Sequence, residues 1–244
     1  MKRFALIGHP VAGSLSPALF AAAYGGRYPY DLLDFQRFED AWQAFLDGYD
    51  GINVTAPYKQ DAYASVDWLS PEAQETGAVN LVVKTPSGLK GYNTDVDGVV
   101  GAVREAGLPL ADALVLGTGG AARAAVAAAR RLGCSVTVAG RSLERAAALG
   151  CPAVSLSDTS GFCPDLVIST IPGEAMSSSI LPGLPGNLFR NAVVLEAEYK
   201  QPALAQVSCR QYIHGRRWLL HQAIAGYSLF TGEPPSVQEM LRAL

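Results

Sequence analysis

The 244-residue sequence contains no run of Lys and Arg, and its 19 basic residues are outnumbered by 22 acidic ones, a formal charge of −3. Neutralising a phosphate backbone needs a concentrated positive face, so no nucleic-acid partner is expected, although a local pocket can still attract a small anion. No C-x-x-C occurs among Cys134, Cys151, Cys163 and Cys209, and none has a histidine at metal-ligand spacing. Cysteines dispersed in this way read as reduced, buried thiols, with neither a disulfide nor a metal expected. Long apolar runs are missing as well. Phe4 to Gly26 holds no Asp, Glu, Lys or Arg, but Phe4-Ala5-Leu6-Ile7 stops at Gly8-His9-Pro10, and Gly13, Ser14, Ser16 and Pro17 interrupt the next stretch. That pattern supports neither a signal-peptide core nor a spanning helix, so a cytoplasmic protein without membrane contact is expected. Internal repeats and low-complexity segments are absent too.

The composition that remains is ordinary for a globular protein, 49% hydrophobic and 17% charged, enough for one large domain or two small ones. Short β-rich runs at 3–8, 31–35, 51–54 and 78–84 alternate with helical patterns, which implies βα units and a mostly parallel sheet. Ser16-Pro17 and Ala56-Pro57 each put proline where a first helical turn would begin, with Ser16 as a candidate N-cap. A second block opens with a strand at 113–116, a glycine turn at 117–120 and a helix at 121–132, followed by strands at 135–139, 165–169, 192–196 and 211–214 and a final helix at 217–230. Composition shifts at 90–95 and again at 214–217, the pattern of two domains joined by two crossings.

Leu114-Val115-Leu116-Gly117-Thr118-Gly119-Gly120-Ala121-Ala122 places glycines between a strand and a helix, the context of a dinucleotide fingerprint. Small residues let the backbone approach a pyrophosphate, and the helix N-terminus offers unpaired N–H donors with partial positive charge. An NAD site needs an Asp or Glu at the end of the second strand to bind the ribose hydroxyls. Here that position is Ala139-Gly140, followed by Arg141-Ser142 and Arg145, whose guanidinium groups suit a 2′-phosphate, so NADP is the expected cofactor.

Four further segments are rich in small polar residues: Ser14-Leu15-Ser16-Pro17, Asn53-Val54-Thr55-Ala56-Pro57-Tyr58-Lys59, Gly77-Ala78-Val79-Asn80 and Asn93-Thr94-Asp95. Together with the Gly117 turn and Leu219-Leu220-His221-Gln222-Ala223, they resemble the shikimate dehydrogenase family from Gly8 to Gly232. The resemblance implies an α/β fold in which an N-terminal α/β substrate domain with a mostly parallel sheet, residues 1–95 and 216–244, carries an inserted Rossmann NADP-binding domain, residues 96–215. It further implies reversible, NADPH-dependent reduction of 3-dehydroshikimate to shikimate in aromatic amino-acid biosynthesis, by a monomer or homodimer. Quinate/shikimate or aminoshikimate oxidation, or a non-catalytic nucleotide-sensing role, is the alternative.

Residue by residue, the resemblance implies a catalytic pair of Lys59, the proton donor and acceptor, and Asp95, which orients it and binds a substrate hydroxyl. Ketone reduction needs such a donor, because the oxygen takes up a proton as carbon takes up hydride. Ser14, Ser16 and Tyr199 match donors to the substrate carboxylate, and Thr55, Asn80 and Gln222 match contacts to the ring hydroxyls. Cofactor contacts are implied for Gly117, Thr118, Gly119, Gly120, Ala121, Gly140, Arg141, Ser142 and Arg145, with Ala197 and Gly215 near the nicotinamide. Thr118 and Gly140 depart from the family pattern, which has alanine and asparagine there. Glu198 also departs from it, and is expected close to the nicotinamide or the substrate anion, where an unpaired charge would cost affinity. His9, His214 and His221 are expected to be structural, and Trp42, Trp68 and Trp218 to serve packing.

Overall fold

A computed structural model describes residues 1–244 and divides them into two compact units, Met1–Thr94 with Gln222–Leu244, and Asp95–His221. In the first unit the chain runs β1 (Phe4–Gly8), α1 (Ser16–Tyr24), β2 (Tyr30–Asp34), α2 (Phe38–Gly48), β3 (Gly51–Val54), α3 (Lys59–Ala64), β4 (Trp68–Leu69), α4 (Pro71–Thr76), β5 (Leu81–Thr85) and β6 (Gly88–Tyr92). The second unit contains α5 (Asp95–Arg104), β7 (Asp112–Leu116), α6 (Gly120–Arg131), β8 (Ser135–Gly140), α7 (Leu143–Ala147), β9 (Ala153–Ser155), β10 (Leu166–Ser169), α8 (Gly173–Ala175), β11 (Val193–Glu196) and β12 (Gln211–Ile213). Helix α9 (Gly215–Thr231) starts in the second unit and finishes in the first, where α10 (Val237–Arg242) ends the chain.

The first sheet has the order β2-β1-β3-β5-β6-β4. Strands β2, β1 and β3 are parallel, whereas β5 is antiparallel to β3 and to β6. All five residues of β1 are buried, as expected for a central strand covered on both faces. On one face, Ala5, Ile7, Ile52 and Val54 pack with Ala41 and Phe45 of α2. Aromatic rings fill another part of the unit: Phe20 of α1 lies edge-on to Phe4 and to Tyr227, at 5.3 and 4.8 Å between centroids.

The second sheet, β12-β11-β10-β7-β8-β9, is parallel throughout. Its crossover helix α6 buries a face made almost wholly of alanine, Ala122, Ala124, Ala125 and Ala127–Ala129, so it can approach β7 and β8 closely. The expected combination of an α/β unit with a mostly parallel sheet and a Rossmann unit is the observed one.

Several local expectations are corrected. The run at 90–95, where composition shifts, is partly strand: Gly88–Tyr92 forms β6, returning from β5 through Pro86-Ser87-Gly88, with Gly88 at φ 110°. Ser16 is the first residue of α1 rather than its cap, and its N–H donates to Ser14 Oγ. Near Pro57 the loop continues to Tyr58, because the Tyr58 N–H closes a turn onto Thr55 O and α3 starts only afterwards. Of the four thiols, all free, only Cys134 is buried and Cys163 is exposed. Trp68 is an exposed edge residue beneath Lys90 Nζ, not a core ring.

Candidate functional site

In the first unit the polar residues gather at the ends of β1, β3 and β5. β1 and β3 run parallel, so the segments after them emerge side by side. The Thr55 N–H donates to Ile7 O, and a Cβ on Gly8 would lie 2.4 Å from Thr55 Cγ2, so only glycine allows this approach. Asn80 is pinned beside β3 because its carbonyl accepts from the Val54 N–H at 2.8 Å and from Asn53 Nδ2 at 3.2 Å. Lys59, half-buried at the start of α3, is tied to the same place through its carbonyl, which accepts from the Val79 N–H at 2.9 Å.

Asn80 is the hub of a buried network. Its Nδ2 donates to Thr94 Oγ1 at 3.1 Å and to Gln222 Oε1 at 3.4 Å, and its Oδ1 accepts from the Thr94 N–H at 2.8 Å. Gln222 arrives on α9, which approaches closely because a Cβ on Gly226 would sit 2.8 Å from Leu81 Cδ1 and 3.3 Å from Thr94 Oγ1. Ser14 Oγ and Ser16 Oγ are 3.2 Å apart, and Tyr227 of α9 donates to Ser16 O. Of the expected substrate residues in this unit, Asn80 and Gln222 are hydrogen-bonded through their side chains and Ser14 contacts Ser16, whereas Thr55 and the catalytic candidate Lys59 are anchored nearby through their backbones, to Ile7 and Val79.

The preceding loop is secured by Asp34, which accepts from His9 Nδ1 at 2.6 Å and from the Val11 N–H at 3.0 Å. The Val11 N–H, reinforced by His9, holds the Asp34 carboxyl below the usual carboxylate range. The sequence does not mark Asn53, Thr94 or Asp34 as participants. Asn53 and Thr94 lie inside the quoted motifs, but only their nonlocal partners reveal the network.

In the second unit, Gly117 follows β7 at φ 117°, where a Cβ would meet Thr170 Oγ1 at 2.3 Å, so the turn requires glycine. Gly119 precedes α6, and Gly120 and Ala121 form its first turn, so the first N–H groups lack intrahelical acceptors, and a Cβ on Gly119 would meet nothing within 4 Å. Gly140 ends β8, and Ser142 caps α7 by accepting from the Arg145 N–H at 3.3 Å. Arg141 and Arg145 are exposed and have no ion-pair partner in the fold. Asp95 opens α5, is buried, and accepts from Trp218 Nε1 at 3.3 Å, so Trp218 does more than fill space.

Tyr199 and Ala197 lie on the loop after β11. Glu198 does not carry an unpaired charge, because its Oε1 accepts the N–H groups of Lys200 and Gln201 at 2.7 and 3.3 Å. Gly215 lies under the same loop, where a Cβ would sit 2.6 Å from Ala197 O. His214 accepts the Arg216 N–H, and His221 donates to Glu105.

A mixed α/β unit carrying a buried polar network, together with a Rossmann unit carrying a glycine turn at a helix N-terminus, defines the class: an α/β protein with a dinucleotide-type second domain. Over 255 residues the chain is 34% identical to an NADP(+) shikimate dehydrogenase of Acidiphilium cryptum, covering 97% of this chain and 92% of that one. The chain belongs to the shikimate dehydrogenase family. Residues 6–82 match the family described as shikimate dehydrogenase substrate binding domain. A Thermus thermophilus NADP(+) shikimate dehydrogenase is 43% identical over 161 residues, a match that spans 61% of this chain and only 59% of that relative. Among solved structures, shikimate 5-dehydrogenase from Thermus thermophilus in complex with NADP(H) and shikimate superposes with a TM-score of 0.86 at 35% identity, covering all of both chains. No helix is long and apolar enough to cross a membrane.

Proposed function

We propose that this protein is an NADP-dependent oxidoreductase acting on a CH–OH group, a shikimate dehydrogenase that reversibly reduces 3-dehydroshikimate to shikimate within aromatic amino-acid biosynthesis in the cytoplasm. The observation that carries the reading is the Asn80–Thr94–Gln222 network beside Lys59: clustered amide and hydroxyl groups suit a polyhydroxylated ring, and an ammonium suits proton exchange. The first unit is the substrate half and the second the cofactor half. Each neutral hydrogen bond is worth only about 0.5–1.5 kcal/mol net, so several must act on one substrate. Thr55, Asn80 and Gln222 take the ring hydroxyls, and Ser14, Ser16 and Tyr199 take the carboxylate.

The residues fit NADP. Gly117 to Ala121 leave backbone N–H groups open at the α6 N-terminus, Ala139-Gly140 offers no carboxylate to repel a 2′-phosphate, and Arg141 and Arg145 are exposed to meet one, with Gly140 and Ser142 beside them and Ala197 and Gly215 toward the nicotinamide. NADPH held by these residues would be the source of the hydride that the carbonyl carbon takes up. Lys59 gives its ammonium proton to the substrate oxygen, leaving a neutral amine that solvent reprotonates, and in the oxidative direction the amine takes the proton back. Asp95 orients Lys59 and accepts from a substrate hydroxyl.

Steady-state assays of shikimate and quinate with NADP+ and NAD+ test this. Turnover is expected with shikimate and NADP+. Binding of NADP+ without turnover of any ring substrate would instead make the chain a nucleotide-sensing homologue, and preference for quinate would reassign the substrate.

A further inference from the structure

Glu196, the last residue of β11, is completely buried, a costly place for a carboxylate unless every lone-pair direction is used. It receives three donors. Oε1 accepts the Ala203 N–H at 2.7 Å, and Oε2 accepts the Leu204 N–H at 3.0 Å and the Tyr212 hydroxyl at 2.8 Å. Ala203 and Leu204 stand at the far end of the loop that Glu196 begins, and Tyr212 belongs to β12, the strand paired with β11. One side chain thus ties both ends of the loop to the sheet.

The rest of the loop is constrained just as closely. At its start the Ala197 N–H donates to Ser169 O at 2.8 Å, and at its tip Glu198 gathers the Lys200 and Gln201 N–H groups. Below it there is no spare volume: a Cβ on Gly173 would lie 1.9 Å from Gln201 O, and one on Gly215 would lie 2.6 Å from Glu196 O and from Ala197 O. The loop positions matched to function are Ala197 and Tyr199.

The geometry points to Glu196 as a positioning residue: through its hydrogen bonds to Ala203, Leu204 and Tyr212, it holds the 197–202 loop in the single shape that presents Tyr199 to the substrate carboxylate. This rests on the reading of Tyr199 as a substrate donor. A donor on a loop already fixed by its scaffold loses little freedom when it binds, whereas a donor on a loose loop pays for ordering out of its own hydrogen bond. Glu196→Gln keeps the volume but leaves one amide oxygen where two carboxylate oxygens accepted, and turns an NH2 group toward a donor.

The test is a double-mutant cycle on the full chain, read as KM for shikimate, kcat, Kd for NADP+ and Tm. Glu196→Gln is expected to raise KM for shikimate about tenfold, the scale of a lost hydrogen bond to a charged group, with a smaller change in kcat. In a Tyr199→Phe background the same substitution is expected to change KM less than about twofold, because the group it positions is already gone. Tyr212→Phe, which leaves both backbone N–H anchors in place, is expected to raise KM in the same direction by a smaller factor and to lose that effect in the Tyr199→Phe background; it decides the matter if Glu196→Gln does not fold. A lowered Tm with unchanged KM, or equal KM effects in both backgrounds, overturns the inference. Wild-type protein that binds NADP+ but turns over no shikimate removes the functional reading, and the inference with it.

Discussion

The Cγ2 methyl of Thr118 stands where a side chain at position 140 would have to go, since a Cβ built on Gly140 would lie 2.7 Å from it. These are two of the positions at which the chain departs from the family pattern, and the structure makes them one change. A larger residue in the glycine turn is matched by a smaller one at the end of β8. Gly140→Asn is therefore expected to cost about 1–3 kcal/mol through overpacking and to weaken NADP+ binding. Adding Thr118→Ala is expected to recover most of the loss. Tm and NADP+ affinity of the two single variants and the double variant check this, and strict additivity would mean that the two positions are independent.

Lys59 is the only lysine in the small-polar segments that carry the resemblance, and its carbonyl is locked to Val79, so its backbone position does not depend on its ammonium. Lys59→Ala is expected to retain the fold and the KM for NADP+ while lowering kcat by roughly 10²–10⁴, the range for loss of a general acid–base group. Circular dichroism with steady-state kinetics measures both. Near wild-type kcat would dismiss Lys59 from proton transfer.

Arg141 is exposed and unpaired in the fold, so its removal disturbs little packing. Arg141→Ala is expected to reduce kcat/KM with NADPH about tenfold or more, by loss of a multi-donor contact to the 2′-phosphate, and to leave the NADH value nearly unchanged. Equal losses with both cofactors would assign the arginine to the shared part of the dinucleotide.

Much of the fold is legible in local sequence signals. The buried strands β1, β3, β7, β10 and β11 are short apolar runs bounded by polar or glycine residues, and the glycine turn at 117–120 falls where a strand must give way to a helix. The β5–β6 hairpin is legible only through Pro86-Ser87-Gly88, because Lys90-Gly91-Tyr92 lacks the apolar alternation of a half-buried strand. The Asn80 hub can be located in the sequence but not its partners: Thr94 is 14 residues away and Gln222 is 142. Glu196 is the clearest case of a hidden role. In the sequence it reads as a charge ending a strand, and its value lies in backbone N–H groups that only the folded loop brings to it.

Glu105 gives the second unit a pH-dependent tie between two helices. Just beyond α5, it accepts from Arg217 Nε at 2.7 Å, from Arg217 Nη2, and from His221 Nε2 at 2.8 Å, so it ties α5 to the first turns of α9. Burial pushes its carboxyl up, but the Arg217 and His221 hydrogen bonds outweigh burial and leave its pKa below that of an ordinary glutamate. A carboxylate with a depressed folded-state pKa adds stability that is fully present above its unfolded value and fades as pH falls through the folded one. Because the group is partly exposed, solvent screening limits the contribution to about 1 kcal/mol or less. Glu105→Gln is thus expected to lower the urea midpoint slightly at about pH 7, and the gap to wild type is expected to close as pH falls below about 4, into the range where carboxylates protonate. At the same contact a Cβ on Gly101 would sit 2.5 Å from the His221 ring, so Gly101→Ala is expected to destabilise by about 1–3 kcal/mol through overpacking. That loss does not depend on carboxylate protonation and is expected to persist at low pH. Urea titrations of the three proteins at both pH values separate the two contributions. A Glu105→Gln deficit that stayed constant down to about pH 3 would mean that packing of the side chain, rather than its charge, joins the two helices.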